Sequence, residues 1–488
     1  MSNLPLRDPS LLREALLING QWVQADNGAT FDVLNPATGR PIAKVPDAGR
    51  AETSRAIDAA DRALIAWRAR LSRDRAAILR RFYELVLQNI EDLCVIITSE
   101  QGKPLAESRA EILYAAGFIE WYSEEARRAY GEIIPQNVPG RRILVQKAPV
   151  GVFAAITPWN FPAAMITRKV GPGWAAGCTA VIKPAEQTPL TALALGVLAE
   201  RAGLPAGVCN IVTGDAKEIG AEITESPIVR KLSFTGSTEV GSLLLAQCAR
   251  TVKRTSMELG GNAPFLVFED ADLDAAVEGA IKAKYRNAGQ ACIAANRFIV
   301  HSSLSEVFAE RLAEASRRLR VGNGMDRYVE MGPLINTEAV SKVESHVQDA
   351  VRRGARLVTG GGRHALGGCF FQPTVISNVS RHSLTFQNEV FGPVAPIFSF
   401  ESETEAIELA NDTSYGLAAY AYSRDVGRIF RVVEALDFGM VGVNEGIIST
   451  EVAPFGGMKQ SGHGREGSHH GMDEYMEIKY VALGGLQS

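Results

Sequence analysis

The chain has 488 residues, 46% hydrophobic and 22% charged, with 51 basic against 55 acidic side chains and a net charge of −4. That length predicts two or three domains, and the near-balanced charge excludes the basic footprint of a nucleic-acid or anionic-membrane binder. Six scattered cysteines (Cys94, Cys178, Cys209, Cys248, Cys292, Cys369) form no Cys-x-x-Cys pair, and no His lies at metal-ligand spacing from one. So no disulfide framework and no metal are expected, and a reducing, cytoplasmic compartment is.

The first eight residues carry no apolar core behind a basic start, which predicts no signal peptide. Residues 16–45 predict short strands, with Asn19-Gly20 as a hairpin turn. From 51 to 130 the apolar period becomes helical, through Ala56, Ala59, Ala63 and Ile65, then Leu79, Phe82, Leu85 and Val86. Residues 131–146 read as a polar hairpin about Val138-Pro139-Gly140, either an arm that packs on another subunit or an ordinary surface hairpin. The uncharged stretch 148–167 is long enough to cross a bilayer, but Pro158 and Pro162 would break such a helix. A strand, a loop and a helix start are expected there instead.

From Gly151 strands and helices alternate: strands at 152–156, 179–183, 208–212 and 231–234, helices at 163–176, 188–201 and 217–226. Alternation of this kind predicts an α/β fold with a doubly wound parallel sheet. A second alternating block begins at 264–268 and runs to about Gly442, and a final strand at 474–481 can pair with the earlier hairpin. The two blocks are expected to pack closely around a cleft.

The chemistry gathers at Tyr285-Arg-Asn-Ala-Gly-Gln-Ala-Cys292, which joins a helical run to a strand. Two neighbours point toward it: the glycine-bearing Met257-Glu258-Leu-Gly-Gly-Asn262 and the proline-bracketed Thr157-Pro-Trp-Asn160-Phe-Pro162. A thiol, a carboxylate and a side-chain amide make an acyl-transfer site: thiolate attack, proton handling and oxyanion donation. The ordinary alternative for one cysteine is a buried structural role. Phe234-Thr-Gly236-Ser237 follows a strand and opens a helix, suiting a phosphate or packing alone. Lys183 and Glu186 at another strand end can clamp a ribose or form a solvated ion pair. Glu389 and Phe391 are expected on one side of an extended run, to take a ribose and support a flat ring, or else in an edge strand.

Seven segments, taken together and in order, resemble the NAD(P)-dependent aldehyde dehydrogenase superfamily: Pro158–Pro162, Lys183–Glu186, Phe234–Ser237, Glu258–Gly261, Asn287–Cys292, Glu389–Pro393 and Pro454–Gly457. The resemblance implies two Rossmann-like α/β domains and a bridging β-hairpin arm that builds homodimers or homotetramers. The expected division is 1–130 with 150–259 for NAD binding, 260–465 for catalysis, and 131–149 with 466–488 for bridging. It implies Cys292 as nucleophile, Asn160 and the Cys292 N–H as oxyanion hole, Glu258 as base, and Lys169 as proton relay. Trp159, Lys183, Glu186, Gly236, Ser237, Glu389 and Phe391 become cofactor contacts. A carboxylate at Glu186 near the adenosine 2′-position favours NAD, with NADP possible.

Within the superfamily the chain is most similar to succinate-semialdehyde dehydrogenases, through Ile166–Gly171, Tyr285–Gln290, Val443–Ser449 and Lys459–Gly467. That likeness implies Arg168, Arg286 and Ser449 as holders of the substrate's distal carboxylate, a group a guanidinium fork grips in two places. The implied activity is oxidation of succinate semialdehyde to succinate. Glutarate semialdehyde or a broader aldehyde range is the alternative, since one methylene is worth only about 1–3 kcal/mol. A non-catalytic protein on this fold is disfavoured by Cys292, Glu258 and Asn160 together, and a CoA-acylating enzyme by Glu258. Many members carry a second cysteine two residues past the nucleophile; Ala294 stands there, so no local disulfide switch is expected.

Overall fold

The computed structural model describes residues 4–486, so both ends of the segments expected to begin at 1 and to finish at 488 lie outside the described residues. Its first sheet has a parallel centre in the order Arg254–Glu258, Val229–Thr235, Val152–Ile156, Thr179–Lys183 and Cys209–Ile211. Leu16–Ile18 and Gln21–Val23 extend one edge antiparallel. Their turn uses Asn19 at φ 53° and Gly20 at φ 69°, the left-handed pair that matches strand twist in a two-residue hairpin. The other edge is closed by Gly462–His463, which returns from late in the chain to pair with Met257 and Glu258. The central strands are buried along their length because helices cover both faces, so they read as apolar runs rather than alternating ones.

The helical stretch is four helices, Arg50–Ala69, Ser72–Gln88, Ile90–Gln101 and Leu105–Glu125. Leu105–Glu125 packs beside Ala164–Ala176, every residue of which is buried, Arg168 and Lys169 included. Gly171 permits that approach: a Cβ there would stand 3.0 Å from the Tyr122 ring.

The second sheet runs Arg356–Thr359, Thr374–Ser377, Val394–Phe400, Ala295–His301, Ala263–Val267, Ala418–Tyr422 and Met440–Val443, parallel except for its first strand. A third sheet pairs Met476–Leu483 with Arg142–Pro149, and that strand with Glu132–Ile134, so the last strand does join the hairpin. The hairpin exposes Ile133, Ile134 and Val138, and the strand paired with it exposes Ile478 and Tyr480, so this sheet is less polar than expected.

One local expectation is overturned. Residues 387–393 are not extended: Gln387 ends a short helix, Leu384–Gln387, and Phe391 has φ 55°. The segment is instead a loop pressed onto the turn before Cys292. A Cβ at Gly289 would lie 2.2 Å from the Gly392 carbonyl oxygen, so glycine is required there.

Candidate active site

The site lies beyond the carboxyl ends of the first sheet, where its winding reverses. From Val152–Ile156 the chain moves outward through Thr179–Lys183 and Cys209–Ile211, then crosses back to Val229–Thr235 on the other side. The crevice between the first and last of these strands is where open α/β sheets bind ligands. The loop after Val152–Ile156 carries Trp159 and Asn160; the loop after Val229–Thr235 carries Gly236 and Ser237. Facing them are the segments that precede two strands of the second sheet, with Cys292 before Ala295–His301 and Glu389 before Val394–Phe400. A cavity of about 320 Å³ is lined by Trp159, Asn160, Gly236, Ser237, Cys292, Glu389 and Phe391, with Pro158, Met165, Leu259 and Lys342 among their neighbours.

Asn287, Ala288 and Gly289 are all left-handed, at φ 50°, 54° and 75°. Such a run at non-glycine residues persists only where surroundings over-determine it. Here Asn287 N–H donates to Glu107 at 2.8 Å, its side-chain amide donates to the Asn160 carbonyl at 3.0 Å, and Ile335 N–H donates to Gln290 Oε1 at 2.9 Å. The Asn160 amide in turn donates to the Gln290 carbonyl at 3.0 Å. An amide has two N–H bonds, so one stays free for the cavity that Asn160 and Cys292 share.

Glu258 closes strand Arg254–Glu258 and is buried with neither oxygen hydrogen-bonded. Burial, and then the nearby Glu466 carboxylate, hold its carboxyl well above the usual range, while Arg168 and Lys169 pull the other way. Burial also pushes the Cys292 thiol up to about 12, against the pull of Arg168. The Glu389 and Glu258 carboxylates push it the same way as burial, while Arg168 and, more weakly, a backbone N–H favour the thiolate.

Arg168 is 1% exposed, ion-paired through Nε with Glu466 and seated 4.4 Å over the Phe455 ring, while its Nη2 has no partner. Lys169 shares that carboxylate, at 2.5 Å, and reaches Ser233 Oγ at 3.1 Å. Arg286 lies 4.8 Å from the Phe161 ring, whose own loop carries Asn160. Ser449 is half-buried in the irregular segment after Met440–Val443. Lys183 and Glu186 contact each other directly; the lysine side chain is 4% exposed and the glutamate 40%.

Sequence reasoning missed Glu466, Lys103, Glu107 and Glu111. Lys103 Nζ donates to Glu111 at 2.5 Å and to the Asn160 carbonyl at 2.7 Å, both side chains buried. The available signal was Glu107 and Glu111 at i, i+4 on one helix, placing two carboxylates on the face that meets the core. Glu466 had no local signal, since its partners lie almost 300 residues earlier.

The residues present fit a nicotinamide dinucleotide. Ser237 caps helix Thr238–Cys248 by accepting from Val240 N–H at 3.3 Å, leaving a helix N-terminus at the cavity for a phosphate. Glu389 accepts from Gly261 N–H at 3.1 Å, and burial lifts its carboxyl to about 7. Its other oxygen would lie 3.2 Å from a Cβ at Gly260, so that glycine keeps room for the acceptor. Trp159 and Phe391 meet edge to face at 5.5 Å.

Fold and site together define a two-sheet α/β oxidoreductase with a thiol at its dinucleotide crevice, and the chain matches the aldehyde dehydrogenase family over residues 22–481, to which it belongs. It is 57% identical to a glutarate-semialdehyde dehydrogenase of Pseudomonas aeruginosa, covering 99% of this chain and 100% of the relative. It is 58% identical to a 3-sulfolactaldehyde dehydrogenase of Pseudomonas putida, covering 99% of each. It is 56% identical to the NADP(+) succinate-semialdehyde dehydrogenase GabD of Escherichia coli, covering 99% and 100%. Among solved structures, a succinate-semialdehyde dehydrogenase from Burkholderia pseudomallei superposes with a TM-score of 0.98 at 59% identity, covering 98% of this chain and 100% of that one.

Proposed function

We propose that this aldehyde dehydrogenase oxidises a short aldehyde bearing a distal anion, with succinate semialdehyde as the leading substrate. The carrying observation is the buried Arg168, whose Nη2 has no partner in a site that also holds Arg286. Leaving a buried charged donor open is costly, and a substrate carboxylate removes that cost. Glutarate semialdehyde is the second reading, favoured by the name of the relative at 57% identity. The relative named for a sulfonated aldehyde shares with both only the terminal anion.

In this reading the Cys292 thiol gives its proton to water, the thiolate sulfur bonds to the aldehyde carbon as the C=O π bond opens, and the resulting oxyanion accepts from the Asn160 amide and the Cys292 N–H. Losing one such donor typically costs about 10²–10³ in rate. The bound nicotinamide supplies the acceptor for the hydride that leaves this carbon. What remains on Cys292 is a thioester. Glu258 takes a proton from water, the water oxygen bonds to the acyl carbon, the C–S bond breaks and the acid departs. Lys169 and Glu466, whose charges act on Glu258, are the proposed relay for that proton.

NAD or NADP serves as acceptor. The partly exposed Glu186 carboxylate supports NAD, whereas the relative named for NADP(+) supports the phosphorylated form. The exposed Ile133, Ile478 and Tyr480 support a homodimer or homotetramer built through the arm. No helix among the described residues is long and apolar enough to cross a membrane.

The test is Arg286→Ala assayed on succinate semialdehyde and on butanal, which keeps the chain length without the carboxylate. Loss of one partner of a buried charge pair costs about 2–5 kcal/mol, so kcat/KM for the semialdehyde should fall about 10²-fold or more. Butanal should change little, and Ser449→Ala should act in the same direction more weakly. Equal losses on both substrates would remove the support for an anion clamp.

A further inference from the structure

The hydroxyl of Tyr114 is sealed from solvent and has no hydrogen-bond partner. Nothing in its own helix explains it: the ring packs edge-on against Phe118 at 4.8 Å, which holds the aromatic body and leaves the polar tip unused. Buried phenols ordinarily find a partner, and one left unsatisfied costs about 1–3 kcal/mol.

Packing fixes what the tip faces. Helix Leu105–Glu125 packs against Ala164–Ala176. At one end Glu111 accepts from Ala163 N–H at 2.8 Å; further along, a Cβ at Gly171 would stand 3.4 Å from the Phe118 carbonyl oxygen. Tyr114 lies between these two contacts, and Arg168 lies between their partners. The Arg168 and Arg286 guanidinium groups are accordingly the cations that act on the Tyr114 phenol. Arg168 Nη2 is sealed as well, and the group it faces is the Tyr114 oxygen, which can accept from it but leaves the phenol hydrogen without an acceptor among the described residues. The same helix also meets the segment that carries Ser449, since a Cβ at Gly117 would stand 3.3 Å from a Glu451 carboxylate oxygen.

The hydroxyl hydrogen still lacks an acceptor beside two guanidinium groups, and one anion held by those groups would supply it. From this we infer that Tyr114 is a further substrate-binding residue, donating its hydroxyl hydrogen to the distal anion that Arg168 and Arg286 hold. The inference rests on the anion-clamp reading above and extends it to a neutral donor on a different helix. Burial pushes the phenol up to about 12, so it keeps the proton it must donate across the working range of pH. A third donor also suits a sulfonate, which presents three oxygens where a carboxylate presents two.

Tyr114→Phe removes the oxygen and keeps the ring against Phe118, so the fold should be retained, with a urea midpoint no lower than that of the unsubstituted protein as the check. With saturating dinucleotide, kcat/KM for succinate semialdehyde should fall about tenfold, mostly through KM. Butanal should be turned over as by the unsubstituted enzyme. Arg286→Ala is run in parallel. If Arg286→Ala is selective for the semialdehyde and Tyr114→Phe leaves both substrates unchanged, the clamp stands and the role of Tyr114 is overturned. Equal losses on both substrates in Tyr114→Phe likewise overturn it, because the ring position would then be structural. If Arg286→Ala itself shows no selectivity, the clamp reading falls and the Tyr114 assignment falls with it.

Discussion

Lys103 donates from its buried ammonium to the backbone carbonyl of Asn160 at 2.7 Å, and that carbonyl also accepts from the Asn287 amide at 3.0 Å. Lys103 at a helix end, the Asn160 loop and the turn before Cys292 are thus tied at one oxygen. The same ammonium sits 3.8 Å from the Phe161 ring, which Arg286 also approaches. Glu111 balances the lysine and, through its other oxygen, accepts from Ala163 N–H at the start of the helix that bears Arg168.

Lys103→Met should therefore be costly twice over. It strands the Glu111 carboxylate, and breaking a buried pair from one side typically costs about 3–5 kcal/mol. It also frees the Asn160 loop, so kcat should drop at temperatures where the variant is still folded. Adding Glu111→Gln should recover part of the stability, because the stranded charge is gone, but little of the kcat. Urea unfolding and initial rates on the single and double variants separate the two effects. Full recovery of kcat in the double variant would show that Lys103 matters only for charge balance.

Glu258→Gln should split the reaction. In the proposed mechanism acyl-enzyme formation uses the Cys292 sulfur and the Asn160 amide, whereas hydrolysis needs a base for water. Rapid mixing should show a burst of reduced dinucleotide near one per active site, followed by a steady rate lower by about 10²–10⁴. A missing burst would place Glu258 earlier, in activating the thiol.

The fold's larger plan was legible because strand and helix alternate in segments whose apolar period is clear, and because Asn19-Gly20 dictates its own turn. Cys292, Glu258 and Asn160 stood out for a different reason: each sits in a short glycine- or proline-bearing segment at a strand or helix end. What stayed hidden is non-local. Glu466 acquires its role only when Gly462–His463 folds back beside Met257 and Glu258. Lys103 read as one charge in a helical stretch until Gly102, at φ 96°, turned the chain and sent that side chain inward. The 387–393 loop misled for the same reason, since its shape is set by the turn at Gly289 pressing on it rather than by its own residues.

Alkylation of Cys292 in the dinucleotide-free protein should report the buried thiol directly. The thiolate is the reactive species. With the thiol near 12, its fraction rises about tenfold per pH unit across the range where the protein is stable. Iodoacetamide rates should climb with that slope from pH 6 to pH 9, taken here as roughly the usable window, without levelling off. Glu258→Gln removes a group that raises the thiol, so alkylation at fixed pH should become faster. A plateau below about pH 8 would mean that the free enzyme already holds a thiolate, as activated cysteines do.

Glu186 offers the test of dinucleotide choice. Its carboxylate contacts the Lys183 ammonium, which is buried at the end of strand Thr179–Lys183 and has only one further acceptor, the Pro184 carbonyl at 3.1 Å. With the carboxylate present, an added 2′-phosphate meets a negative charge and a lysine already paired. A ribose hydroxyl meets an acceptor it can donate to. Glu186→Ser removes the charge, leaves a small hydroxyl and releases Lys183 for a phosphate. The ratio of kcat/KM with NADP to that with NAD should rise about tenfold or more, ~1.4 kcal/mol of relative binding. The stability cost should be slight, because the glutamate side chain is 40% exposed and such a pair is well screened. Steady-state kinetics with both dinucleotides at fixed semialdehyde measures the shift. A ratio unchanged by the substitution, or an unsubstituted enzyme that already prefers NADP, would show that Glu186 does not face the 2′-position and that selection lies elsewhere along the crevice.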